Sequence, residues 1–258
     1  MKLLVCVKQV PDSTVRVKVG ADKRSIATDG ITWAISPYDE YAIELALEHK
    51  DGNPGTTVSV VTLGPARARD ALRQALAMGC DDATLVTGAD AEALGGLATA
   101  RALAAVIKEL GPDLVLCGRQ ASDDDQGFVG HAIAELLGWP SVGRVESFAQ
   151  VDGRVEIREA TEAGHEVWRA SGPAVLTVQK SAKDPRYPSL PGIMKAKKRE
   201  IPEQDLTSLG ADLAGPAIEI SSLEPPPARN AGRVMKDGDV KAMATELARL
   251  LRDEAKVL

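Results

Sequence analysis

Residues 113–138 read DLVLCGRQASDDDQGFVGHAIAELLG. The opening DLVLCG is short and apolar, the pattern of a buried strand. The closing FVGHAIAELLG is an apolar-periodic run that stops at glycine, the pattern of a helix. Between them lie small residues, three adjacent carboxylates (Asp123, Asp124 and Asp125) and Gly127. Strand, polar loop and helix make the repeating unit of a parallel α/β sheet.

The same alternation runs back to the start of the chain. LLVCVKQV (3–10) reads as a strand stopped by Pro11, and the polar residues that follow, up to Trp33, suggest a hairpin-like excursion. SPYDEYAIELALEHK (36–50) opens a helix, with Ser36 as N-cap and Pro37 at the first helical position. TVSVVTLG, ARARDALRQALAMG, DATLVTG and GLATARALAAVIKELG then continue as strand, helix, strand, helix. Short connections between such elements imply parallel strands, right-handed crossovers and helices on both faces. The expected fold is an α/β protein with an open, mostly parallel, doubly wound (Rossmann-like) sheet.

Beyond Pro140 the texture changes. Residues 143–171 alternate like strands, with turn signals at Asp152-Gly153 and Ala163-Gly164, and are expected to form a small antiparallel meander. PAVLTVQ (173–179) is expected to rejoin the main sheet. Residues 180–199 are basic and punctuated by proline. The expected organisation is a nucleotide-binding α/β domain over 1–205, then a C-terminal linker and helical arm over 206–258. That arm either packs on another chain or docks back on its own core.

Composition excludes several function classes. A formal charge of −6 argues against general nucleic-acid binding, although Lys195 to Arg199 form a local basic cluster. Cys6, Cys80 and Cys117 are an odd number without zinc spacing, and two lie inside apolar runs. They are expected to be buried thiols in a reducing compartment. No leader pattern and no membrane-spanning run is recognised, so a cytoplasmic location without membrane insertion is expected. His49, His131 and His165 have no neighbours at triad or ligand spacing. The chain therefore reads as a binder or carrier, without catalytic residues or a metal site.

Open α/β sheets bind ligands beyond the carboxyl ends of their strands. Here those ends are residues 8–12, 63–66 and 118–130, with residues from 83 onward a weaker fourth. The three acids allow three readings: caps on the following helix, the polar frame of a nucleotide loop, or metal ligands. Consecutive residues of an extended segment point in alternating directions, so at most two could meet one ion, and EF-hand spacing is absent. A phosphate at the helix start would use main-chain N–H groups and the helix dipole, with Gly127 and Gly130 allowing close approach.

The segments LLVCVKQVPD, SPYDEYAIELAL, LGPARARDALRQALAMGCDDA, DLVLCGRQASDDDQGFVGHAIAELLGWP and DPRYPSLPGIMKAKKREI occur in this order over about residues 2–205. Together they resemble the β subunit of electron transfer flavoproteins. The resemblance implies a heterodimer whose α subunit holds most of an FAD while the β subunit completes the pocket and buries an AMP with a structural role. It implies electrons taken from dehydrogenases, notably acyl-CoA dehydrogenases, and passed to a quinone-linked oxidoreductase, with the flavin carrying the redox chemistry.

Carried over by position, the resemblance implies AMP contacts at Cys6, at Ser36, Pro37, Tyr38 and Asp39, at Leu63, and along Asp123, Asp124, Asp125, Gln126, Gly127, Phe128, Val129, Gly130, His131, Ala132, Ile133 and Ala134. Tyr38 matches an aromatic that approaches the flavin, whereas Ser13 stands where a second aromatic contact is found. Residues 185–199 resemble the family's partner-recognition loop. Leu190 would be its anchor, Pro185, Arg186, Tyr187, Ile193 and Met194 its frame, and Lys195, Lys197 and Lys198 its steering charges. Glu159 matches an acid facing the mobile flavin domain.

Some members bind a second FAD instead of AMP and bifurcate electrons. Asp124, Gln126 and His131 depart from their loop pattern, whereas Val129-Gly130 fits it. A stand-alone adenine-nucleotide-binding regulator is the reading from another class.

Overall fold

The computed structural model describes every residue except 89–90, 92–93, 181–182, 212, 214–219, 229–230 and 237. The chain divides into two units, Met1–Leu223 and Glu224–Leu258. In the first unit, β1 (Lys2–Cys6), β2 (Gln9–Pro11), β3 (Trp33–Ile35), α1 (Pro37–Gly52), β4 (Thr57–Leu63), α2 (Arg69–Met78), β5 (Asp82–Thr87), α3 (Gly96–Leu110), β6 (Leu114–Gly118) and α4 (Val129–Leu137) follow in order. They are succeeded by β7 (Ser141–Val151), β8 (Arg154–Thr161), β9 (Gly164–Ala170), β10 (Ala174–Val178), α5 (Leu190–Lys198) and β11 (Glu203–Asp205). The second unit contains α6 (Val240–Asp253), capped by the Asp239 side chain. Of the linker LEPPPARNAG, residues 229–230 lie outside the described set.

Among the described residues nine strands form one sheet in the order β11-β5-β4-β1-β6-β10-β7-β8-β9. The first seven pair in parallel, and β7, β8 and β9 pair antiparallel. The meander is thus a continuation of the main sheet, joined through β7 to β10, and β10 fills the gap between β6 and β7. The excursion after β1 is a separate two-stranded antiparallel sheet of β2 and β3, with one further bridge between Val19 and Ile26.

Alternation within β1 explains the two faces. Leu3 and Val5 join a core with residues of α1 and α2, while Leu4 and Cys6 join a second core with α3 and α4. The strand order reverses at β1: β4 and β5 build outward on one side, β6 and β10 on the other. The crevice beyond the ends of β1 and β6 is therefore the switch point, where sheets of this kind take ligands.

The proline-punctuated segment contains a regular element. Ser189 accepts the Gly192 N–H at 3.1 Å and Pro191 sits in the first turn, which starts α5. Residues 206–209 form a short 3-10 turn with Leu206 buried in the core of the first unit. Among the described residues no helix is long and apolar enough to cross a membrane.

Gly130 has a packing reason to be glycine. A Cβ there would lie 2.7 Å from Thr177 Cγ2, so α4 could not approach β10 as closely as it does. Overpacking of this kind costs about 1–3 kcal/mol, more than the roughly 0.5–1 kcal/mol that alanine returns in a helix interior. Gly130→Ala is expected to lower the urea midpoint of unfolding, with the slope unchanged. An unchanged or higher midpoint would contradict this packing account.

Candidate functional site

The site begins with a carboxylate. Asp39 stands in the first turn of α1, buried at the switch point. Its Oδ2 accepts the Lys8 main-chain N–H at 2.7 Å, and its Oδ1 accepts the Gly118 N–H at 2.9 Å. One side chain thereby ties the ends of β1 and β6 together. A Cβ on Gly118 would fall 2.3 Å from Asp39 Oδ1, so the contact needs glycine there. Burial pushes the Asp39 carboxyl up to about 7, against the opposing effect of the two N–H donors and the Lys8 charge.

Lys8 then reaches over the crevice. Its Nζ lies 2.8 Å from Asp123 Oδ1 and 2.9 Å from Asp124 Oδ2. Its pKa is raised, since the two carboxylates outweigh the desolvation that alone would lower it. The remaining acid contacts are local: Asp124 Oδ1 accepts the Gln126 N–H at 3.0 Å, and Asp125 Oδ1 accepts Gln120 Nε2 at 2.8 Å. Asp125 takes a positive φ of 52°, which bends the loop.

Helix capping, one of the three readings of the acid run, is corrected here. The N-cap of α4 is Phe128, and it provides no side-chain cap; the carboxylates instead bind Lys8 and their own loop. Ser36 occupies the N-cap of α1 as expected, but its hydroxyl does not cap. That oxygen is fully buried without a hydrogen-bond partner among the described residues, while the Ser36 main-chain N–H donates to the Lys8 carbonyl.

Beside this frame lies a cleft of about 280 Å³ at the ends of β6 and β10, lined by Arg119, Gly127, His131, Gly143, Arg144, Glu159 and Thr177. Thr177 is buried and its Oγ1 also has no partner among the described residues. Glu159 is engaged by Arg144 Nη2 at 3.0 Å and Trp168 Nε1 at 2.9 Å, and His131 Nδ1 lies 3.0 Å from Ser141 Oγ. In the cleft the Thr177 hydroxyl, the main chain at Gly127 and the Arg119 guanidinium, and beside it the Ser36 hydroxyl and Lys8, suit a ligand that is polar and anionic at one end.

The structure brings together Cys6, Ser36 to Asp39, Leu63 and the 123–130 loop along one edge of the sheet. Cys6 is buried beside Cys117 in the adjacent strand, Leu63 ends β4 half-exposed, and Tyr38 abuts Gly118. Ile133 and Ala134 are different: both are core residues on the buried face of α4, able to shape the site and not to bond in it. Phe128 is exposed and its ring comes so close to Gly96 that a Cβ there would lie 2.6 Å away. All three cysteines are buried and free, and burial pushes the Cys80 thiol up to about 12. Sequence reasoning missed Lys8, Arg119 and Thr177 as individual residues. The signal for Lys8 was its place, the first charged residue after an apolar strand.

The second set of expected residues lies on and before α5. Tyr187, Leu190 and Met194 are 94%, 80% and 59% exposed, large values for apolar or aromatic side chains. Lys195, Lys197 and Lys198 flank them, also exposed. Pro185 and Ile193 are half-buried, Ile193 against the core. Arg186, expected to frame a partner contact, turns inward and bonds Glu44 and Asp51 of α1.

A family model described as the electron transfer flavoprotein domain matches residues 24–209. The chain is 37% identical over 251 residues to the electron transfer flavoprotein subunit beta of Megasphaera elsdenii, covering 93% of each. It is 37% identical over 259 residues to that of Bradyrhizobium diazoefficiens, covering 100% of each. For the Homo sapiens protein of the same name the figures are 37% over 254 residues, 97% of this chain and 99% of that one. The likeness runs past residue 205 and takes in the C-terminal arm.

Asp39 gives the site a measurable pH signature. Its carboxyl is near 3.8 when unperturbed and near 7 when folded, so between those values the folded chain holds the extra proton. Stability contributed through this group therefore falls as pH rises from about 4 to 7, by at most about 1.4 kcal/mol per pH unit. Asp39→Asn cannot titrate, so its unfolding free energy is expected to lack that decline. Urea titrations from pH 4 to 8 check it, and parallel pH profiles for the two proteins would refute the assignment.

Proposed function

The chain belongs to the electron transfer flavoprotein family, and from that premise we propose that it is the β subunit of a heterodimeric electron carrier that buries an adenylate at the switch point. The observation that carries this reading is the crevice itself. Asp39 holds the ends of β1 and β6, Lys8 spans to the acid loop, and the hydroxyls of Ser36 and Thr177 stand buried without partners among the described residues.

In this reading the adenine lies toward Cys6 and Leu63. Main-chain N–H groups at the start of α4 take the phosphate. Lys8 offsets one of the two charges of Asp123 and Asp124, which weakens their repulsion of the phosphate and draws the acids in to close the loop. The AMP is a structural part of the subunit, and the three departures at Asp124, Gln126 and His131 favour it over a second FAD.

The FAD, held mostly by the α subunit, supplies the one- and two-electron chemistry. This chain completes its pocket, with Tyr38 near the flavin and Glu159 toward the flavin-bearing domain. The exposed face of α5 docks acyl-CoA or related dehydrogenases: burying Leu190 offers roughly 1.5–3 kcal/mol, suited to a transient contact, and Lys195, Lys197 and Lys198 steer acidic partners. Electrons then leave toward a quinone-linked oxidoreductase.

The pair, co-expressed and purified, is expected to be yellow and to release one FAD and one AMP per heterodimer on boiling, measured by chromatography. Two FAD and no AMP would establish the bifurcating reading, which Val129-Gly130 favours. A colourless chain that stays monomeric in the presence of the α subunit, by size exclusion, would overturn the carrier reading.

A further inference from the structure

Tyr187, three residues before α5, and Leu190 and Met194 on it stand out from the molecule, yet the segment leading to the helix is fastened at many points. Tyr41, Glu44, Glu48 and Asp51 recur at spacings of three, four and three, which places them in one row along α1. Each member of that row takes a residue of the segment before α5. Tyr41 Oη donates to Asp184 at 3.1 Å, Lys183 Nζ meets Glu48 at 2.8 Å, and Arg186 Nη2 meets Asp51 at 2.9 Å.

Glu44 is the centre of the row. Its side chain is 5% exposed and receives three bonds from one residue: the Arg186 main-chain N–H at 2.9 Å, Nε at 2.8 Å and Nη2 at 2.9 Å. The guanidinium fork fixes orientation, and the main-chain bond fixes the path of the chain one residue before Tyr187. A buried carboxylate needs such partners, so Glu44 and Arg186 hold each other in place.

The other end of the helix is fastened independently. Gly192 lies so close to α2 that a Cβ would be 2.5 Å from the Ala77 carbonyl oxygen. Ala196 is buried in the core, and Arg199 pairs with Asp82 at the start of β5. Tyr187, Leu190 and Met194 are thus held between two anchors, and little of the ordering cost is left for the moment of association.

We infer that Glu44 is a positioning residue for partner recognition: through Arg186 it holds the exposed face of α5 in its docking position. This rests on the reading that α5 docks a dehydrogenase. Glu44 touches neither partner nor cofactor, so its effect appears in recognition and not in the electron-transfer step.

The test uses the assembled heterodimer with Glu44→Gln, Arg186→Lys and Leu190→Ala, and an acyl-CoA dehydrogenase as electron donor. Glu44→Gln keeps the shape and removes the charge that Arg186 needs; Arg186→Lys keeps the charge and removes the fork. Both are expected to speed amide hydrogen exchange over residues 183–199 about ten-fold or more, and to raise the apparent KM for the heterodimer roughly ten-fold with kcat within two-fold. If Glu44→Gln does not assemble, the half-exposed Arg186 variant carries the same readings. Native exchange over 183–199, or faster exchange with an unchanged KM, overturns the inference. Failure of the docking reading is a separate result: Leu190→Ala would then leave the KM at its native value.

Discussion

A single carboxylate bridging two strand ends organises this molecule. Asp39 accepts one main-chain N–H from Lys8, two residues past β1, and one from Gly118, the last residue of β6. Those strands flank the point where strand order reverses, so their ends would otherwise present unpaired donors to an open crevice. The carboxylate satisfies both and defines the floor of the site. Its burial is tolerable because each oxygen has a donor, and it still leaves the carboxyl far more basic than an exposed one.

Helix α1 connects the two functions proposed for the chain. Its first turn supplies Asp39 and Tyr38 to the crevice. Its flank supplies Tyr41, Glu44, Glu48 and Asp51 to the segment that carries α5. Both surfaces are therefore referenced to one rigid element packed on the sheet. A carrier that accepts electrons from a docked protein and delivers them to a cofactor benefits from that arrangement, because errors in one position are not added to errors in the other.

Much of the fold was legible because its signals are local. The apolar runs of β1, β4 and β6, the glycines after α2, α3 and α4, and the Asp152-Gly153 turn each announce an element within a few residues. The attachment of the meander to β10 was not announced, since pairing between distant strands leaves no local pattern. The helical nature of 190–198 was obscured by prolines, although Pro191 lies in the first turn, where proline is tolerated. The site was legible as a set of strand ends and not as contacts. Three aspartates in a row state that charge is present; that two of them close on Lys8, 115 and 116 positions away, follows only from the fold. Arg186 shows the same limit, since nothing local tells an inward arginine from an outward one.

The most direct measurement of the central claim is a crystal structure of the co-purified heterodimer, read first at the edge of the sheet beyond β1 and β6. The account requires density for a purine between Cys6 and Leu63, with a phosphate against the main chain of residues 126–130. Side chains filling that crevice, with any nucleotide found elsewhere, would contradict it.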